Sequence, residues 1–116
     1  MTIEALLVRD ELVAEARSRA GLQDFGDEWF FKNLDMFLKC LKDEARLSLN
    51  GAHYARATIL DSLVNRLRLI DAIKRNPEID DEDVQVAAVI AGLPRTGSTM
   101  LHRMLASAPG MTGAKW

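Results

Sequence analysis

VQVAAVIAGLPRTGSTMLHR, residues 84–103, changes character twice within twenty positions. Val84, Val86, Ala87, Ala88, Val89 and Ile90 make a short, nearly continuous apolar run that Gly92 and Pro94 terminate. From Thr96 or Gly97 the apolar residues return at helical spacing, through Met100, Leu101, Met104 and Leu105, until Pro109-Gly110 ends the pattern after Ala108. A run of that length between turn residues predicts a strand buried on both faces, as in a parallel sheet. The order is then strand, glycine loop, helix, and the predicted fold class is α/β.

Such a loop joins the carboxyl end of a strand to the amino end of a helix. It presents unpaired backbone amides and the positive end of the helix dipole, which together favour an anion. Gly92 and Gly97 let the backbone turn and approach a ligand closely. Thr96, Ser98 and Thr99 add hydroxyls, and Arg95 adds a permanent, planar cation able to grip two anionic oxygens. The spacing Gly92-x-x-x-x-Gly97, with Thr99 beyond it, is that of a phosphate-binding loop, but Ser98 stands where the lysine of a triphosphate site belongs. That lysine reaches the outer phosphates while the next hydroxyl holds magnesium. Here the positive charge lies at Arg95 instead, which implies an anion arranged differently from a magnesium triphosphate. An arginine keeps its proton at neutral pH, so its part in chemistry is electrostatic.

Upstream the chain reads as helix. Residues 2–19 mix Leu6, Leu7, Val13 and Ala16 with charges, and Gly21 is a C-terminal stop. A second helix opens at Asp27, a capping residue, and carries Phe30, Leu34, Phe37, Leu38, Leu41 and Ala45 on one face as far as Asn50-Gly51. A third, over 52–75, puts Leu60, Leu63, Val64, Leu67 and Ile70 on one face, and Asn76-Pro77 ends it. The acidic cluster Asp80, Asp81, Glu82, Asp83 follows as a solvated linker. Two domains are expected: a helical N-terminal region of about three helices over 1–79, and the start of an α/β nucleotide-binding domain over 80–116.

Composition sets limits on function. The chain has 116 residues, 48% hydrophobic and 28% charged, with a net charge of −2, so it offers no general electrostatic attraction to nucleic acid or an anionic membrane. Its longest apolar stretch, VAAVIAGL, is far short of the ~20 residues that span a bilayer. The N-terminus intersperses acids and bases and lacks the pattern of a secretory signal. A single cysteine, Cys40, permits no internal disulfide and fits a reducing, cytoplasmic setting. No set of His, Cys or acidic residues has metal-ligand spacing, so no metal is assigned. His102 reads as a packed or supporting residue and His53 as a surface one. Trp29, Phe30, Phe31 and Phe37 read as core, and the arginines of NRLRLIDAIKR as solvated or paired.

GLPRTGSTMLHRMLASAP resembles the 5′-phosphosulfate loop of sulfotransferases that use 3′-phosphoadenosine-5′-phosphosulfate, in particular a bacterial branch with a Gly-Leu-Pro-Arg stretch followed by Thr-Gly-Thr-Thr. FGDEWFFKNLDMFLKCLKDEARLSLNG and NRLRLIDAIKRNPEI are similar, more diffusely, to the helical N-terminal region of that branch. The resemblance implies that Arg95, Thr96, Gly97, Ser98 and Thr99 surround the phosphosulfate of this donor, Arg95 replacing the lysine of many relatives and Ser98 a threonine. It implies sulfuryl transfer to a hydroxyl or amine acceptor, without a metal. The family's later elements, which hold the 3′-phosphate and supply the base, have no counterpart before Trp116, so the chain is expected to be an N-terminal part of such a protein. Two other functions fit the residues: a kinase or triphosphatase with a deviant loop, and a helical interaction module in which the loop is vestigial.

Overall fold

The computed structural model describes residues 2–93 and 95–114. Five α-helices are present among them: α1 (Ile3–Leu6), α2 (Arg9–Ala20), α3 (Phe30–Asp43), α4 (Leu49–Arg75) and α5 (Ser98–Ala106), with a 3₁₀ helix at Pro77–Asp81. The chain divides into two compact units, residues 1–82 and 83–116.

In the first unit the single helix expected over 2–19 is broken into α1 and α2. Thr2 caps α1 by accepting the Ala5 amide at 3.3 Å. Leu6 and Leu7 are both buried, although neighbours on a helix point about 100° apart. The break at Leu7 lets both reach the core, and the Leu6 carbonyl accepts a hydrogen bond from Arg56 Nη1 at 2.6 Å. α2 ends where expected, at Gly21, whose φ of 66° is the left-handed conformation of a helix stop.

α3 starts three residues after Asp27, which accepts the Trp29 amide at 3.1 Å within the preceding turn. It ends at Asp43, well before Asn50-Gly51, and Ala45 lies outside it. Ser48 is the reason: its hydroxyl accepts the Gly51 amide at 3.1 Å and caps α4, so Asn50 and Gly51 belong to the first turn of α4 instead of ending α3. α4 then runs to Arg75, and Asn76-Pro77 stops it as expected.

The core is formed by one face each of α1, α2 and α4 with Phe25 and Leu38. Leu7, Leu12, Leu60 and Leu67 are almost completely buried, and each such side chain is worth about 1.5–3 kcal/mol. Phe30 and Phe31 pack against this core, with ring centroids 5.6 and 5.7 Å from Phe25, whereas Trp29 and Phe37 are exposed. Arg66 fastens the 22–29 loop to α4. It donates to the carbonyls of Phe25 (2.9 Å) and Asp27 (2.8 Å), and its guanidinium lies 4.2 Å from the Phe30 centroid. Cys40 is half-buried.

The α/β expectation is overturned in the second unit. Helices make up 63% of the structure, with no strand and no sheet among the described residues. Residues 84–90 form neither helix nor strand, and the valines expected to be buried on two faces are exposed: Val84 76%, Val86 69%, Val89 81%. Apolar β-branched residues give a segment its extended preference, but a strand exists only with a hydrogen-bonded neighbour. Among the described residues none pairs with this one. The helix after the loop does form, as α5, one or two residues shorter at each end than the apolar spacing implied.

Candidate anion-binding site

Gly97 opens α5 with φ 85°, a left-handed backbone that glycine adopts without strain. Arg95 has φ 66°, uncommon for a residue with a Cβ. Two left-handed residues bracketing Thr96 turn the chain sharply into the helix. Thr96 closes that turn: its hydroxyl donates to the Leu93 carbonyl at 2.7 Å. A Cβ on Gly92 would stand 3.5 Å from the same hydroxyl, an ordinary contact, so at Gly92 the structure leaves room for a side chain.

No side chain among the described residues caps α5, and its first backbone bond to the loop runs from Leu101 N–H to the Gly97 carbonyl at 3.1 Å. The amides of the first turn therefore have no acceptor among the described residues, and they face the end of the helix where an anion is favoured.

A cavity of about 590 Å³ lies against this turn, lined by Arg95, Gly97, Ser98 and Thr99 together with Met100, Arg103 and Met104. Four of the five residues expected to hold the ligand thus come together. Thr96 does not line the cavity, because its hydroxyl is spent on the loop. Arg103 joins the site although the sequence reading passed over it. Two signals pointed to it: it is four residues beyond Thr99, hence on the same helix face, and no Asp or Glu occurs anywhere in residues 84–116. The net charge of −2 concealed that partition, since all seventeen acids precede Val84.

His102 lines other cavities, with Ala106, Thr112 and Gly113. A Cβ on Gly113 would fall 2.8 Å from Ala106 Cβ and 2.9 Å from the His102 ring, so the chain returns onto α5 at that glycine. His53 is exposed. The basic side chains at the end of α4 are held by acids: Lys74 pairs with Asp24 and Arg75 with Asp71. Among the described residues no group of three or more His, Cys, Asp or Glu could hold a metal ion, and no helix is long and apolar enough to cross a membrane. No protein-family model, curated protein or solved structure matches the chain.

Proposed function

We propose that the loop at 92–99 binds the 5′-phosphosulfate of 3′-phosphoadenosine-5′-phosphosulfate, in a sulfotransferase that passes the sulfuryl group to a hydroxyl or amine acceptor. The observation that carries the reading is the cavity at the uncapped start of α5, where Arg95, Ser98 and Thr99 meet open backbone amides without any acid. Such a lining binds an anion through charge-assisted hydrogen bonds. It holds neither the lysine nor a carboxylate that would help to organise a magnesium triphosphate.

In the transfer, the bond from sulfur to the acceptor oxygen or nitrogen forms while the bond from sulfur to the bridging oxygen breaks. The electron pair of the broken bond stays on the donor's phosphate, and the acceptor's proton passes to a base outside this cavity. Arg95 and the first-turn amides oppose the charge that grows on the phosphate. The single cysteine fits a cytoplasmic setting, with the sulfonucleotide and a small-molecule acceptor as partners and no nucleic acid.

One observation favours a second reading, a helical interaction module. Among the described residues every buried apolar one lies between Leu6 and Leu67, so their packed part is helical and separate in sequence from the loop. Isothermal titration of the chain with the sulfonucleotide, with its desulfated product and with magnesium ATP tests the readings. Binding of the first two and not the third supports the sulfotransferase reading. Preference for magnesium ATP points to the kinase, and no binding of any of them leaves the helical module.

A further inference from the structure

We infer that Arg103 is a second cation of the phosphosulfate site, so that the cavity takes an anion charged at two linked centres and not a lone sulfate. The inference rests on the reading of the loop as an anion site and adds a residue and a charge requirement to it.

Position gives the first argument. Arg103 is the sixth residue of α5 and stands four beyond Thr99, so the two share a face. Long side chains on a helix lean towards its N-terminus, which carries the Arg103 guanidinium back over the first turn. The cavity agrees, since Arg95 and Arg103 line it together with Ser98 and Thr99. One guanidinium comes from the loop and the other from the body of the helix.

Charge gives the second. In the first unit Arg9, Arg19, Arg56 and Arg75 are each paired with a carboxylate. Arg95 and Arg103 have no such partner among the described residues, and residues 84–116 contain no acid to provide one. Two cations beside one cavity repel each other, and the repulsion is relieved when an anion bridges them. Met100 and Met104, both more than half exposed, form the apolar part of the same lining and bring no competing charge to it. A phosphosulfate or pyrophosphate group has one charged centre for each guanidinium; a lone sulfate engages one well.

The test is isothermal titration of the 116-residue chain with pyrophosphate, inorganic sulfate and the sulfonucleotide. It compares wild type with Arg103→Ala, Arg103→Lys and, as a control for lost net charge, Arg75→Ala. Alanine is the best helix former and Arg103 is exposed, so α5 survives the change, as circular dichroism verifies. Arg103→Ala is expected to weaken pyrophosphate and the sulfonucleotide about ten-fold or more, and sulfate less than about three-fold. Arg103→Lys restores part of the loss and Arg75→Ala changes nothing. Equal affinities in Arg103→Ala and Arg75→Ala overturn the inference while leaving the loop reading intact, as does an equal loss for sulfate and pyrophosphate. Arg103-dependent binding of pyrophosphate without binding of the sulfonucleotide supports the second cation and removes the sulfotransferase reading. Absence of binding by wild type to all three removes both.

Discussion

Arg95 combines two properties that substitution can separate: a permanent charge and a left-handed backbone. Arg95→Ala removes the charge and keeps a Cβ at φ 66°; Arg95→Gly removes the charge and eases the backbone. If the charge is what binds, both variants lose sulfonucleotide affinity, by on the order of 1.5–3 kcal/mol in titration. Unchanged affinity in both would exclude Arg95 from the site. Gly26 is the opposite case, a residue needed for its lack of a side chain. It has φ 71°, and a Cβ there would fall 2.7 Å from Ile70 Cδ1. Gly26→Ala is expected to lower the stability of the helical unit by about 1–3 kcal/mol, read from the urea midpoint. Residue types told much of this in advance. The glycines and the arginine of the loop announced a turn and a cation. They did not announce that Thr96 would close the turn with its own hydroxyl, because that bond depends on where the Leu93 carbonyl points.

Helical elements were legible wherever an apolar stripe and its punctuation agreed, as at Gly21 and Asn76-Pro77. They were misread where two signals competed. Asn50-Gly51 looks like a helix stop, yet Ser48 two residues earlier is a start, and the start prevails because its hydroxyl satisfies an amide of α4. Ser48→Ala is expected to cost about 1 kcal/mol and to fray the first turn of α4, visible as faster amide exchange there. Between elements, α2 and α4 are joined by Glu15, which meets Arg56 at 2.6 Å and Arg19 at 2.5 Å. Partial burial tends to raise the Glu15 pKa, but the hydrogen bonds from Arg56 and Arg19 outweigh it and hold the carboxyl below its ordinary value. Asp24 is held low as well, first by Lys74 and then by the Gly26 amide. Both groups bind protons more weakly when folded. Their contribution is therefore present above the ordinary carboxylate range and is lost as pH falls through the folded values. Urea midpoints should decline from about pH 4.5 downward, and Glu15→Gln should make that decline shallower. An unchanged slope would remove Glu15 from the acid response. The apolar run at 84–90 was misjudged for another reason: a continuous apolar run between turn residues reports what a segment tolerates, whereas a sheet also requires a neighbour that no single segment encodes.

Across the whole molecule, burial is confined to the first unit, since no described residue after Leu67 is fully buried. Amide exchange of the native chain should protect α2 and α4 most and leave 84–93 exchanging almost as a free peptide. Slow exchange at Val86 and Val89 would contradict the unpaired backbone found there. For the proposed chemistry, sulfuryl transfer should persist in excess EDTA, because a cavity without a carboxylate offers magnesium no anchor of its own. Activity abolished by EDTA and restored by magnesium alone would favour the kinase. The placement of every acid before Val84 also makes the sequence itself an ampholyte with two poles. Residues 84–116 have three cations and no acid, against twelve cations and seventeen acids ahead of them. A protease that cuts in the exposed stretch near Asp83 would divide a chain with an isoelectric point of 5.6 into a more acidic piece and a strongly basic one. The two would focus at opposite ends of a pH gradient, so cleavage at that boundary would be visible as charge before it was resolved as mass.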